Sequence, residues 1–359
     1  MKQKPIYIIA EAGVNHNGQL KIAYDLIDIA ADAGANAVKF QTFNASSLTS
    51  SSVPKAEYQK KFTAKSESQM EMLKKLELPY EWHQDLKNRA EDRGLDFLST
   101  AFDIDSHNFL MDLGIQKIKI PSGELTNGPL IWKFAKSKKE LILSTGMANI
   151  DEVEDALAII AHSLNSNSPP KNMDEVKKIW DNKSNRNSLK GFVTILHCTS
   201  QYPAKLDQIN LNAMVSMKKT FELDVGYSDH SQGINVALAS AALGATIIEK
   251  HFTTSRKLPG PDHNASLESK ELELMIKEIR KIEIVLGDGI KKPHPDEEPM
   301  KFSARKQIIA SKNIAKNALL SIENLSTSRA GSGMNPNEIW SLIGKKSKNS
   351  YNAGEIINE

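Results

Sequence analysis

Two histidines stand at equivalent points of neighbouring strand-like segments. His230 follows the apolar run at residues 223–227, and His251 follows the apolar run at residues 245–248. The Ala-rich, helix-like segment 234–243 separates the two runs, so we expect parallel strands whose carboxyl ends meet at one edge. Each histidine could simply cap its strand through a hydrogen bond. Because the two are in register and each has an acidic residue nearby, we favour a site in which imidazole and oxygen ligands hold a divalent metal ion.

Other polar side chains occupy the predicted carboxyl ends of the remaining strands. Lys39 and Lys119, together with several hydroxyl groups, suit a phosphorylated, multiply anionic substrate. Glu11, Glu124 and Glu249 could bind sugar hydroxyl groups or transfer protons. The alternative is that the two lysines only form structural ion pairs with Glu11 and Glu124. The full set at the strand ends is Glu11, Asn15, His16, Lys39, Gln41, Ser99, Thr100, Lys119, Ser122, Glu124, Ser144, Thr145, His197, Thr199, Tyr202, Ser228, His230, Glu249 and His251.

The elements that would position these residues alternate between strand-like and helix-like segments. Eight such units within about 285 residues predict an α/β protein, a (β/α)8 TIM barrel. A doubly wound open sheet is the alternative, but no glycine-rich dinucleotide turn follows the first strand. The predicted strands are residues 6–10, 37–40, 96–98, 117–120, 141–143, 192–196, 223–227 and 245–248, and the predicted helices are residues 20–33, 80–93, 104–113, 129–135, 151–162, 210–220, 234–243 and 267–286.

Two segments interrupt this alternation. Residues 163–190 are rich in Asn, Ser and Lys, and we interpret them as a surface insertion around a short helix at 173–180. Residues 287–303 are dense in Gly, Pro and charge, as is typical of a linker. We therefore predict a barrel domain at 1–286, a linker at 287–303 and a small β-rich domain at 304–359.

The composition is that of an ordinary globular protein. The chain has 359 residues, of which 40% are hydrophobic and 25% are charged, and its formal net charge is only +2. This charge gives no indication of a nucleic acid or membrane partner. The single cysteine, Cys198, excludes an internal disulfide bond, and no secretion signal or membrane-spanning run is recognised. We expect a cytoplasmic protein.

Eight short motifs occur along the chain in the order IAEAGVNHNG, VKFQTF, STAFD, KIPSGELTN, ILSTGMA, LHCTSQYPA, VGYSDHS and EKHFT…PGPDH. This series resembles the N-acetylneuraminate (sialic acid) synthase family over residues 9–262. Residues 304–329 resemble the SAF, or antifreeze-like, domain that ends members of that family. The opening motif, the segment KAEYQKKF at 55–62 and the EKHFT motif look most like synthases of bacterial nonulosonates, including legionaminic acid.

The resemblance implies a condensation reaction. Phosphoenolpyruvate would be joined through C3 to the C1 aldehyde of an open-chain N-acylated mannosamine, giving a nine-carbon 2-keto acid and phosphate by C–O cleavage. His230 and His251 would bind a divalent metal, with Mn²⁺ favoured over Mg²⁺ or Co²⁺, and Glu11 or Glu124 would act as a base. The substrate-binding residues implied are Lys39, Thr100, Lys119, Ser122, Ser144 and Ser228 for phosphoenolpyruvate, and Gln41, Tyr202 and Asp262, again with Glu11, for the amino sugar.

The resemblance also implies a domain-swapped homodimer, in which Arg329 reaches the partner subunit's amino sugar. The alternative is a C-terminal domain that docks on its own barrel or is loosely tethered. Three positions depart from the family pattern. Ser200 replaces an Asn, SRAGSG replaces a proline-containing loop around Arg329, and Asn317-Ala318 replaces a Gly-Glu turn.

Two other classes of protein remain open. A Schiff-base aldolase would use Lys119 or Lys39 as its nucleophile and would need no metal, but it leaves the paired histidines unexplained. A non-catalytic carbohydrate-binding barrel would not need so many charged residues at the strand ends. We favour the synthase hypothesis over both.

Overall fold

The computed structural model of the protein describes residues 4–50, 53–55, 59–60 and 67–359. Of the segment 55–62, positions 56–58 and 61–62 lie outside the described residues. The chain divides into two compact units, Met1–Asp288 and Gly289–Glu359. Along the described ranges, no helix combines the length and the apolar character needed to cross a membrane.

Eight parallel strands form the centre of the first unit. They are β1 (Tyr7–Gly13), β2 (Ala37–Thr42), β3 (Asp96–Ala101), β4 (Lys117–Ile120), β5 (Glu140–Ser144), β6 (Val193–Cys198), β7 (Asp224–Asp229) and β8 (Ile247–Thr253). Their order in the sheet is β3-β2-β1-β8-β7-β6-β5-β4, and the end strands β3 and β4 lie close together. The prediction of a parallel α/β barrel is therefore confirmed, with the barrel nearly closed. A short strand, β9 (Leu267–Glu268), adds to β8.

Helices follow the strands as the periodicity predicts. In the first of them, Ala23, Leu26, Ile27 and Ala30 recur at helical spacing and are buried against the sheet. The helices of this unit are α1 (Leu20–Asp32), α2 (Ala45–Leu48), α3 (Gln69–Lys74), α4 (His83–Asp92), α5 (Ile104–Asp112), α6 (Gly128–Lys136), α7 (Ile150–Asn165), α8 (Met173–Asp181), α9 (Lys183–Asn187), α10 (Asn212–Phe221), α11 (Asn235–Ala242) and α12 (Ser269–Leu286). Helices α8 and α9 lie within the segment that we interpret as an insertion.

The barrel interior has an apolar layer below a polar one. Six buried residues from six strands form the apolar cluster, namely Ile9, Ala37, Leu98, Ile142, Leu196 and Ile247. Residues two apart on a strand face the same side, so the residue two positions after each of these also points inward. Those next residues are Glu11, Lys39, Thr100, Ser144, Cys198 and Glu249. Most strands continue past their predicted apolar runs, because backbone pairing does not require apolar side chains.

The second unit has its own small core. A two-stranded antiparallel sheet joins β10 (Gln307–Ala310) to β11 (Leu325–Ser328), and the short helices are α13 (Glu298–Ala304) and α14 (Ile339–Leu342). The buried residues of this apolar core are Ile308, Ala310, Ile314, Leu320, Leu325, Ile339, Leu342, Tyr351 and Ile357. Part of the segment predicted as a linker, 287–303, thus forms a helix, and Pro299 lies in the first turn of that helix, where proline is favoured.

Candidate active site

A cavity of about 380 Å³ opens at the carboxyl ends of the strands. Catalytic sites of parallel barrels lie at this end, because the loops that follow the strands converge there. The predicted site residues that line the cavity are Glu11, Lys39, Gln41, Thr100, Lys119, Ser122, Ser144, Tyr202, Ser228, His230, His251 and Asp262.

Lys39 is the centre of a buried network on the β1 and β2 side of the cavity. Its Nζ atom lies 2.7 Å from Glu11 Oε2, 3.5 Å from Glu249 Oε2 and 3.0 Å from Thr100 Oγ1. Gln41 Nε2 lies 3.4 Å from the other oxygen of Glu11. Strand register explains the grouping, since Glu11 is paired with Lys39 on β2. The network leaves one ammonium group held between two carboxylates at the cavity floor.

Glu249 joins this network to the opposite side of the barrel. Lys119 Nζ lies 3.2 Å from Glu249 Oε1, and Ser228 Oγ donates to the same oxygen over 3.1 Å. The two lysines therefore do form ion pairs with carboxylates, but the partner of Lys119 is Glu249 and not Glu124. The pairing with Glu124 that we considered as an alternative is wrong, because Glu124 instead accepts a hydrogen bond from Asn127 Nδ2 at 2.7 Å.

The two carboxylates of the floor have opposite pKa shifts. Burial raises the pKa of Glu11 to about 7, although Lys39 opposes the shift. Burial would also raise the pKa of Glu249, but Lys119 and Lys39 outweigh it and hold that pKa well below its usual range. A pair of carboxyl groups whose pKa values are pushed apart is suited to separate acid–base and electrostatic roles.

His230 and His251 lie side by side at the cavity, with ring centroids 5.5 Å apart. His230 Nδ1 is 2.8 Å from the carbonyl oxygen of Thr199 and donates a hydrogen bond to it. Burial would lower the pKa of His230, but the neighbouring Cys198, with Sγ 3.6 Å from Nδ1, outweighs burial and raises that pKa. Burial lowers the pKa of His251 well below its usual value, so that ring is neutral. The ring of Tyr202 packs against both imidazoles, with its centroid 4.0 Å from that of His230 and 5.6 Å from that of His251.

The two imidazoles fit the expected divalent metal as a pair of ligands. Nδ1 of His251 is buried and, within the described residues, has no hydrogen-bond partner, although Asp262 Oδ2 is 3.9 Å away. A neutral imidazole with an unpaired buried nitrogen, as in His251, is a suitable metal ligand, and His230 lies beside it with Nδ1 held by the Thr199 carbonyl. In the part of the chain that the structure describes, no group of three or more His, Cys, Asp or Glu side chains surrounds a cation position. Substrate and water would therefore have to supply the remaining ligands.

One wall of the cavity is apolar, and the sequence did not reveal it. Val14, Met72, Leu73, Leu76 and Phe102 line the cavity together and belong to one hydrophobic cluster. Three of them come from or directly follow α3, which follows β2 and lies outside the regular strand–helix alternation. Such a wall is suited to methyl groups of a substrate.

Two predicted residues are not among the described residues that line the cavity. Glu124 is half-buried after β4, and Arg329 is an exposed residue of the second unit that directly follows β11.

Ser200, which departs from the family pattern, lines the cavity beside Ser122. A Cβ atom on Gly146 would lie 2.2 Å from Ser200 Oγ and 2.8 Å from Ser122 Oγ, so a larger residue there would displace these two hydroxyl groups. Cys198 also lines the cavity, as its inward position on β6 makes possible.

The fold and the site define a class: a parallel barrel with a charged mouth and two adjacent imidazoles. The NeuB family model matches residues 26–291 of this chain. The protein belongs to the NeuB family.

The relatives agree with this assignment over nearly the whole chain. An N,N'-diacetyllegionaminic acid synthase from Campylobacter jejuni is 45% identical over 99% of this chain and 100% of its own length. A protein of the same name from Legionella pneumophila is 43% identical over 98% of this chain and 93% of its own length. The crystal structure of an N-acetylneuraminic acid synthetase from Leptospira borgpetersenii, in complex with citrate, is 34% identical, with a TM-score of 0.67 over 83% of this chain and 90% of that one.

Proposed function

We propose that the protein condenses phosphoenolpyruvate with an open-chain N-acylated mannosamine-type sugar to form a nonulosonic acid and phosphate. The observation that carries this proposal is the cavity floor, where Lys39 and Lys119 flank Glu249 beside two adjacent imidazoles. Family membership and the names of the relatives support it, and among nonulosonates they favour N,N'-diacetyllegionaminic acid.

Phosphoenolpyruvate would bind on the β3 to β7 side. Lys39 and Lys119 provide positive charge, and Thr100, Ser122, Ser144 and Ser228 provide hydroxyl groups along one arc of the cavity. Ser144 Oγ is buried and, within the described chain, has no hydrogen-bond partner, as expected of a donor kept for a ligand. Both lysines contact Glu249, and we propose that they act as charges and form no covalent bond to substrate.

The reaction balances as follows. C3 of phosphoenolpyruvate forms a bond to the aldehyde carbon, water adds to C2, and the C2–O bond to phosphate breaks to leave the 2-keto acid. Glu11 is the group suited to accept the proton from that water, because it lines the cavity and its pKa is about 7. Of the two carboxylates expected as a base, Glu124 is the weaker candidate, because its carboxylate already accepts a hydrogen bond from Asn127.

His230 and His251 are the residues that would hold the metal. A divalent ion bound there, with Mn²⁺ favoured over Mg²⁺ or Co²⁺, would polarise the aldehyde oxygen of the sugar. The chain's own contribution is to orient the rings, through the Thr199 carbonyl at His230 and the packing of Tyr202, and to keep His251 neutral by burial.

The amino sugar would lie on the β1, β2 and β8 side, held by Gln41, Tyr202 and Asp262, and by Arg329 of the partner subunit. The apolar wall around Leu73 and Phe102 supports an acceptor with acyl or deoxy methyl groups on that side. A sugar with hydroxyl groups there would lose their hydration without gaining partners. The wall thus favours the 2,4-diacetamido-trideoxy sugar over N-acetylmannosamine.

We further propose that the second unit is an SAF-like domain, with the domain boundaries predicted from the sequence, and that the protein is a cytoplasmic, domain-swapped homodimer. Arg329 follows a strand of the small sheet and is exposed, which suits a side chain that contacts the partner subunit's substrate.

The test is to incubate the purified protein with phosphoenolpyruvate, Mn²⁺ and a panel of acylated mannosamines, and to measure phosphate release and the product by mass spectrometry. Phosphoenolpyruvate labelled with ¹⁸O in the bridging position should yield labelled phosphate, because C–O cleavage leaves that oxygen on phosphorus. Release of phosphate with no sugar dependence would contradict the proposal. A borohydride-trapped adduct on a lysine would favour the Schiff-base aldolase, and sugar binding without turnover would favour a binding protein.

A further inference from the structure

The loop after β8 is irregular and yet carries Asp262 into the cavity. Residues 254–262, all of them described, form no helix or strand, and both Pro261 and Asp262 line the cavity. An irregular loop can hold a side chain in place only through contacts with more rigid elements. We propose that Asn15 and Asn17, in the turn after β1, are positioning residues that fix Asp262 for binding the amino sugar. The inference rests on the proposed function, because it takes Asp262 to be a sugar ligand.

Asn15 connects the two ends of this loop. Its Nδ2 group donates to the carbonyl oxygen of Phe252 over 2.8 Å and to Ser266 Oγ over 2.9 Å. Ser266 Oγ in turn donates to the backbone oxygen of Asp262 over 2.7 Å. Asn15 and Ser266 are each 1% exposed, so water does not compete for these bonds. A single amide therefore ties the end of β8 to the backbone of Asp262.

Asn17 holds the residues on either side of Asp262. Its Nδ2 group donates to the carbonyl oxygen of Pro259 over 2.9 Å, which leaves Oδ1 to accept a hydrogen bond from His263 Nε2 over 3.1 Å. With its proton on Nε2, His263 accepts at Nδ1 from Thr253 Oγ1 over 2.7 Å. Burial lowers the pKa of His263 to about 4, so the neutral ring keeps this tautomer at neutral pH.

The backbone of the loop lies directly against this clamp. Gly260 has φ of +148°, and a Cβ atom there would lie 2.8 Å from His263 Cδ2 and 3.0 Å from Asn17 Oδ1. Only glycine combines that conformation with so close an approach. The loop is thus held at Pro259, at Asp262 and at His263. Neither asparagine is among the described residues that line the cavity, so each would act on the sugar only through the loop.

The experiment separates positioning from a general loss of stability. Asn17→Ala and Ser266→Ala should each raise the KM for the amino sugar by about 10- to 100-fold, as a misplaced ligand does, while the affinity for phosphoenolpyruvate measured by calorimetry changes by less than about twofold. Asn17→Asp keeps the acceptor for His263 but loses the donor to Pro259, so its effect should be intermediate. The matched control is Asn182→Ala, which removes the side-chain cap of α9 at the Ser184 backbone amide and should change neither constant.

Two results would overturn the inference. One is an unchanged sugar KM in both alanine variants, and the other is a parallel loss of phosphoenolpyruvate affinity, which would indicate a purely structural role. If Asn17→Ala does not fold, Ser266→Ala decides, since it removes a single hydroxyl group. Wild-type protein that turns over no sugar of the panel would instead contradict the proposed function.

Discussion

Asp229 on β7 and Lys250 on β8 form an ion pair of 2.9 Å in which neither side chain is exposed to solvent. The two residues are register partners, and Lys250 also donates to the backbone oxygen of Ser231. Each member immediately precedes one of the paired histidines, so on the opposite face of the sheet the ion pair joins the two strand ends that carry His230 and His251.

Removing one member of this ion pair should lower the free energy of unfolding much more than replacing both members with apolar residues. Lys250→Met leaves the Asp229 carboxylate buried without its counter-ion, and we expect the free energy of unfolding to fall by about 3–5 kcal/mol. The double variant Asp229→Leu/Lys250→Met removes both charges and should recover most of that loss. Denaturant titration measures both. A single variant within about 1 kcal/mol of wild type would show that the pair is not important for stability.

Loss of either imidazole should abolish metal-dependent turnover. His230→Ala and His251→Ala are expected to lower kcat by about 10³-fold or more, because a Lewis acid supplies several kcal/mol to the reaction. Mn²⁺ binding measured by calorimetry should be lost in both variants while circular dichroism is unchanged. His107→Gln, on α5, is the control and should bind the metal as wild type does. Full activity of the alanine variants in EDTA would contradict the assignment.

Removal of the Lys119 charge should weaken binding of phosphoenolpyruvate. Lys119→Met loses one charge-assisted contact, so the Kd for phosphoenolpyruvate should rise by about 10- to 100-fold while the KM for the sugar changes little. The control is Lys117→Met, two residues earlier on the same face of β4, where the lysine pairs with Asp96 at 3.4 Å. Equal effects of the two substitutions would contradict an anion-binding role for Lys119.

Stability should fall as the pH falls from about 6.5 to 4. Burial lowers the pKa of His16, His83, His107 and His263 to about 4, so in this window the unfolded chain binds protons that the folded chain excludes. Across this pH window, each ring can lower the free energy of unfolding by on the order of 3 kcal/mol, because each pKa unit corresponds to about 1.4 kcal/mol.

His107 is the best residue for measuring this contribution. It lies on α5, and its Nε2 atom forms a hydrogen bond with Ser137 Oγ at 2.8 Å. His107→Gln should flatten the dependence of the free energy of unfolding on pH between 4 and 6.5. A profile that His107→Gln does not alter would indicate that this ring has the same pKa in the folded and the unfolded chain.

The swapped arrangement predicts complementation between two inactive chains. When Arg329→Ala and His251→Ala proteins are mixed and allowed to exchange subunits, one site of each heterodimer recovers both residues. Activity should then approach a quarter of the wild-type value, because half of randomly paired dimers are hetero and each has one intact site. Confirmed exchange without recovered activity would contradict the trans arrangement.

Much of the fold could be predicted from local sequence. Alternation at spacing two and helical repeats at spacing three to four depend only on neighbouring residues, so the eight strands and their helices could be predicted from the apolar runs. By the same alternation, Glu11 faces the same side of its strand as Ile9, and Lys39 faces the same side of its strand as Ala37. The positions of His230 and His251 at neighbouring strand ends likewise followed from their place in the chain.

The pairing of charges was decided by closure of the barrel. Lys119 meets Glu249 across 130 residues of sequence, and no local pattern distinguishes that partner from Glu124, which is only five positions away. The apolar wall from α3 and the raised pKa of Glu11 have the same origin, because both depend on what surrounds a side chain after distant segments pack together. The sequence determined which groups reach the mouth of the barrel, and burial and cross-barrel distance determined their charge states and partners.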